Sequence, residues 1–147
     1  MSRKLGIDYG AARTGIAITD ELGITAQGLE TIKSNGSDKV ILRRIAELLE
    51  IYDVDTFVIG NPLNMDGTES QRSKETDEFA HKLRSRFNTI QVVKIDERLT
   101  TVEAHNTMNF LNISNKKKRD IVDTISAVYI LEGYINQKAW FLSDIGI

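Results

Sequence analysis

The sequence contains no cysteine. That excludes disulfides, thiolate metal sites and cysteine nucleophiles, and it suits a reducing cytosol. Only two histidines occur, His81 and His105; they lie far apart and lack metal-ligand spacing, so neither reads as a ligand or an obvious catalytic base. No apolar run is long enough to cross a membrane, and no signal-peptide core follows Arg3 and Lys4, so the expectation is a cytoplasmic chain without a membrane partner. Neither Walker A nor Gly-x-Gly-x-x-Gly occurs, so the common phosphate-binding loops are missing. No charge of one sign dominates: 19 basic residues face 21 acidic ones, for a net charge of −2. Bulk charge therefore lends no support to nucleic-acid binding, and any such role needs a local basic patch. Repeats, low-complexity tracts and linkers are absent, and the single proline is Pro62.

What is present suits one globular domain over residues 1–147, with 41% hydrophobic and 27% charged residues. Leu5 to Tyr9, Thr14 to Thr19 and Gln27 to Ile32 read as three strands joined by short turns, hence an antiparallel meander. A helix is expected from Asp38 to Glu50, with Ile41, Ile45, Leu48 and Leu49 on one face. Asp55 to Gly60 reads as a strand buried on both faces. A second helix follows over Ser70 to Phe87, then a strand over Ile90 to Ile95. Thr100 and Glu103 have capping-box spacing, which predicts a third helix from Thr101 to Phe110 or Leu111. Asn112 to Arg119 reads as a basic connector, and a last helix is expected over Asp120 to Gln137. The tail 138–147 carries Trp140-Phe141-Leu142, whose packing the sequence does not assign. A meander followed by βα units gives an α/β fold with a five-stranded mixed sheet flanked by helices. The carboxyl ends of the parallel strands would then bring Asp8, Asn61 and Asp96-Glu97 to one edge, where open α/β sheets bind ligands.

Three carboxylates stand out. Asp8 interrupts an apolar strand, where an acid needs a hydrogen bond, a cation or a metal; a turn-forming role before Gly10 is the alternative. Glu97 lies just beyond the fifth strand, and could equally be a surface acid paired with Arg98 or a lysine. Asp123 lies early in the last helix, with Ser126 and Ala127 making a small face, and could equally be a solvated or capping acid. Carboxylates converging from separate elements repel one another unless a cation intervenes. A hard divalent ion with oxygen ligands would supply it.

Four motifs in order carry a family resemblance: Asp8-Tyr9-Gly10 with Arg13 and Gly15; Gly60-Asn61-Pro62-Leu63-Asn64-Met65-Asp66-Gly67; Asp96-Glu97-Arg98-Leu99-Thr100-Thr101; and Asp123 with Ala127. Together they resemble the YqgF (RuvX) family, Holliday-junction-resolvase-like proteins assigned to 5′-end processing of pre-16S ribosomal RNA, over about Lys4 to Asn136. The resemblance implies a ribonuclease H-like fold, a bacterial cytoplasmic location and a hydrolase acting on ester bonds. It makes Asp8, Glu97 and Asp123 the catalytic, metal-binding acids. The expected cofactor is Mg²⁺ or Mn²⁺, as two ions bridged by Asp8, in a site that cleaves by in-line attack. Two positions depart from the family pattern: Asn61, where an apolar residue is usual, and Asp120, where a basic or neutral one is. Asp120 could be a fourth ligand, but the favoured reading is an N-terminal helix charge.

Substrate contacts are expected from Arg13, whose fork matches phosphate oxygens. Arg98, Asn64 and the Lys116, Lys117, Lys118 cluster are further substrate-binding candidates. Bland readings stand beside them: Arg98 paired with Asp96, turn chemistry for Asn64, a solvated connector for the lysines. Tyr9 could stack a base, though a tyrosine at the core edge is the commoner case. The expected partner is nucleic acid, precursor rRNA ahead of branched DNA. Competing functions are a nucleotide-binding domain, for which 147 residues leave no second lobe, and a non-catalytic module in ribosome assembly or transcription. Oligomeric state and the choice of RNA over DNA are not legible in the sequence.

Overall fold

The structure is a computed structural model that describes residues 2–96 and 115–144, with side chains of the last helix described over 121–137. Its elements are β1 (Arg3–Asp8), β2 (Arg13–Thr19), β3 (Ala26–Lys33), α1 (Asp38–Ile51), β4 (Val54–Asn61), α2 (Gln71–Arg86), β5 (Gln91–Asp96) and α3 (Asn115–Asp144). The sheet order is β3-β2-β1-β4-β5. The meander is antiparallel, and β4 and β5 run parallel to β1, as the connection lengths require. The expected helix over Thr101 to Leu111 falls on residues outside those described.

Strand alternation sorts the core into two layers. Leu5, Ile7, Ile16, Ile18, Phe57 and Ile59 face α1 and α2, and meet Ile41, Ile45, Phe79 and Leu83. Burying each of these large side chains contributes about 1.5–3 kcal/mol. On the opposite face, Ala17 and Val58 meet Ala127, Ile130 and Leu131 of α3. On this face glycines of the sheet let α3 come close. A Cβ on Gly6 would stand 2.6 Å from Leu131 Cγ and 2.9 Å from the Ala127 carbonyl oxygen. One on Gly28 would meet Thr124 Cβ at 3.1 Å. The helix therefore lies almost on the backbone of the meander.

Two boundaries correct the sequence reading. Residues 115–119 belong to α3 and not to a connector. Their polarity suggested a loop, yet lysine and arginine are good helix formers and no glycine or proline interrupts the run. At the other end α3 continues to Asp144, so 138–144 of the tail is helical. Asp120 is consequently the sixth residue of α3 and Asp123 the ninth. Both lie past the first turn, where the helix dipole and capping act, so neither is an N-terminal helix acid.

Candidate active site

Asp8 closes β1 and pairs with Gly15 on β2. By alternation it shares the α3 side with Gly6, away from Leu5 and Ile7. Gly15 is the floor of the site: a Cβ there would collide with the backbone carbonyl of Asp123. Asp8 and Asp123 thus flank one glycine, the first from the strand beside it and the second from the helix above it. Ser126 and Ala127, both buried, continue the close approach one turn on.

The turn that carries Arg13 is anchored. The Ala12 carbonyl accepts hydrogen bonds from the backbone N–H of Ser34 (3.0 Å) and Asn35 (3.1 Å). A Cβ on Gly10 would run into the Arg13 carbonyl, so the turn is tight. Arg13 opens β2, and its Nε donates to Asp123 Oδ2 at 2.8 Å, with the two side chains only 23% and 25% exposed. The residue expected to meet a phosphate is therefore also bonded to one of the site's acids.

Tyr9, next to Asp8, turns to the other face. Its ring stacks on Phe79 with centroids 4.4 Å apart. Its hydroxyl donates to Asp38 Oδ1 at 2.6 Å, and Lys82 Nζ donates to Asp38 Oδ2 at 2.8 Å. Burial first, then the bond to Asp38 and the charges of Asp38, Glu75 and Glu78, push the phenol well above its ordinary value. Phe79 takes one ring face, so Tyr9 is a tyrosine of the core edge that ties the end of β1 to α1 and α2.

At the end of β4, Asn61 pairs with Asp96 of β5, which puts the ends of β1, β4 and β5 along one edge as the topology requires. The Asn61 Oδ1 atom is buried and has no hydrogen-bond partner among the described residues. The loop from Pro62 to Ser70 closes on itself. Asn64 Nδ2 donates to Thr68 Oγ1 (3.0 Å) and to the Glu69 carbonyl (3.2 Å), and Thr68 donates to Asp66. The Asn64 Nδ2 donors thus shape the loop, as turn chemistry anticipates.

Lys116, Lys117 and Lys118 occupy the first turn of α3. Glu97 and Arg98 directly follow β5 and lie outside the described residues, as does His105. His81 is an exposed residue of α2. Among the described residues no three of His, Cys, Asp or Glu cluster as metal ligands; the described part of the acid set is Asp8 and Asp123.

One basic residue at this edge was not anticipated. Arg72 Nη2 donates to the Tyr9 carbonyl at 3.4 Å. Its signal lay in the helix period. Arg72, Thr76, Phe79 and Leu83 share one face, and the last three are buried, so the inward stripe of α2 ends in a cation.

The comparisons follow the geometry. The family model for RuvX, described as Holliday junction resolvase, matches residues 2–137. A protein of Acetivibrio thermocellus named "Putative pre-16S rRNA nuclease" is 53% identical over 136 residues, 92% of this chain and 96% of its own. A Bacillus cereus (strain AH187) protein of the same name is 43% identical over 137 residues, 92% of this chain and 99% of its own. Among solved structures, Thermus thermophilus RuvC in complex with a Holliday junction substrate aligns with a TM-score of 0.54 at 13% identity, covering 99% of this chain and 97% of that one. The fowlpox virus Holliday junction resolvase aligns with a TM-score of 0.50 at 12% identity, covering 97% and 99%. These two likenesses concern the fold, which is ribonuclease H-like. With a family match that runs through all five strands and most of α3, and relatives about half identical across nine-tenths of its length, this chain belongs to the RuvX family.

Proposed function

We propose that this protein is a divalent-metal-dependent nuclease that hydrolyses phosphodiester bonds, with the 5′ region of precursor 16S rRNA as substrate. The observation that carries the reading is the placement of Asp8 and Asp123 on either side of Gly15 at the carboxyl edge of the sheet. The names of the half-identical relatives support the substrate. The donor set fits a hard cation: carboxylate oxygens, no sulfur, and no imidazole on the described site elements. Asp8, Asp123 and Glu97 would hold Mg²⁺ or Mn²⁺, two ions in the fullest form of the site. Such ions, when bound, activate water and stabilise the leaving oxygen.

The chain's own residues do the rest. Arg13 orients Asp123 through the Nε–Oδ2 bond and keeps a positive charge beside the acids. Tyr9 holds the end of β1 rigid from the opposite face, which keeps Asp8 in register with Gly15. The lysines at the start of α3 supply positive charge for a polyanion on the helix that carries Asp123. Among the described residues no helix is long and apolar enough to cross a membrane. The test is cleavage of a precursor 16S rRNA fragment with Mn²⁺ by the wild type and Asp8→Asn. The reading expects cleavage that the substitution abolishes; equal activity in both proteins removes the site. The family description makes branched DNA the second substrate, so a four-way junction belongs in the parallel arm.

A further inference from the structure

The described edge of the site has two flanks, and they are not alike. On the α3 side, Arg13 is bonded to Asp123. On the α2 side stands Arg72, exposed, with its Nη2 on the Tyr9 carbonyl at the long distance of 3.4 Å. Several other cations of the domain are held by carboxylates: Arg44 by Glu30 and Glu47, Lys82 by Asp38, Lys94 by Asp77. What sets Arg72 apart from exposed arginines such as Arg84 is its place at the end of β1, on the Tyr9 carbonyl. Arg72 makes no ion pair with a described residue. Glu75, one turn on, accepts a bond from Gln71 instead. A guanidinium has five donors, and a single weak bond to a neutral carbonyl leaves most of that capacity facing water.

Its position is fixed by the helix. Ser70 and Ser73 form a reciprocal capping box, Ser73 and Thr76 are buried, and Thr76 Oγ1 donates to the Arg72 carbonyl at 2.8 Å. Phe79, seven residues on and so about 10 Å along the axis, stacks on the Tyr9 ring. The same helix face therefore grips Tyr9 by its ring at Phe79 and by its carbonyl at Arg72. The residue gripped is the one after Asp8.

We infer that Arg72 is a phosphodiester-binding residue, which places a nucleic-acid backbone across the end of β1 between Arg72 on the α2 flank and Arg13 on the α3 flank. This rests on the nuclease reading and adds a substrate track to it. An arginine fork suits two oxygens of one phosphate, and the contact is independent of base sequence.

The test is fluorescence anisotropy with a labelled precursor 16S rRNA fragment, every variant made in the full chain carrying Asp8→Asn so that the RNA stays intact. Arg72→Gln is compared with Arg84→Gln, an exposed arginine in the last turn of the same helix. Arg72→Gln is expected to weaken binding about tenfold and to lower the salt slope by about one. Arg72→Lys is expected to keep the slope and recover part of the affinity. Arg84→Gln is expected to change neither, and thermal unfolding midpoints confirm that all variants are folded. Equal losses in the two glutamine variants, or no loss in Arg72→Gln, overturn the inference while leaving the nuclease reading intact. Failure of the parent protein to bind any RNA or junction strikes the nuclease reading itself.

Discussion

The backbone carbonyl of Asp123 occupies the space that a β-carbon on Gly15 would need. The two residues belong to α3 and β2, and Gly15 is also the strand partner of Asp8. One missing side chain thus sets the distance between helix and sheet beside Asp8. Gly15→Ala must push α3 away or distort β2. Overpacking of this kind costs about 1–3 kcal/mol. The predicted outcome is a lower urea midpoint with an unchanged m-value, and loss of Mn²⁺-dependent cleavage out of proportion to the unfolded fraction. Full activity in Gly15→Ala would show that the close approach is not needed.

Arg13 and Asp123 make the site's described ion pair at 2.8 Å. Both side chains are about three-quarters buried, so removing one partner leaves the other poorly solvated. Arg13→Gln is predicted to destabilise the fold by roughly 1–3 kcal/mol and to raise KM for the RNA fragment. Arg13→Lys keeps the charge but loses the planar fork, so it should recover less of KM than of salt dependence. Steady-state kinetics at two salt concentrations read both effects; a lysine variant indistinguishable from wild type would mean that only charge matters at this position.

Much of this was legible in the sequence because the physics involved is local. The β-branched runs around Gly10 and Gly15 and the short connections gave the meander, and Asp8 betrayed itself by interrupting an apolar strand. The small face of α3 at Ser126 and Ala127 announced a close approach. Its other half, the floor of Gly6, Gly15 and Gly28, was not legible, because three glycines on three strands become neighbours only once register is known. The start of α3 is hard to read for a different reason: Lys116 to Arg119 has the composition of a linker and the propensity of a helix, and only the folded chain shows that propensity prevails. Arg72 is marked in the sequence only by sharing the face of Thr76, Phe79 and Leu83; that this face reaches the end of β1 is visible only once Phe79 is found stacked on Tyr9.

Ser70 links the second helix to the loop after β4. Its hydroxyl accepts from the Ser73 backbone N–H at 3.0 Å and donates to the Pro62 carbonyl, while Ser73 Oγ accepts from the Ser70 N–H at 2.9 Å. Ser70→Ala removes the cap and the tie to Pro62 together. Loss of such a cap costs about 1 kcal/mol, and the tie adds a local effect. Hydrogen exchange is predicted to accelerate at the amides of Asn64, Gly67 and Ser73, with little change in α1. Protection that stays the same in the loop would separate the cap from the loop's order.

Tyr9 gives the fold an alkaline limit. Its hydroxyl is held by Asp38, and burial with nearby carboxylates raises its pKa well above the ordinary 10.0. A raised value in the folded state means that folding binds a proton that the unfolded chain releases. The stabilisation is fully present below pH 10 and is lost as pH rises through the folded value. The four tyrosines of the chain make this visible by phenolate absorbance. Wild-type protein is predicted to show one tyrosine titrating late, together with the loss of near-ultraviolet circular dichroism. Tyr9→Phe should remove that late step and flatten the fall in urea midpoint above pH 10, at the cost of the bond to Asp38 at neutral pH. Because Tyr9 holds the end of β1 that carries Asp8, the same variant should lower kcat for RNA cleavage while leaving KM nearly unchanged. A Tyr9→Phe protein with the wild-type alkaline profile would show that the late-titrating phenol lies elsewhere.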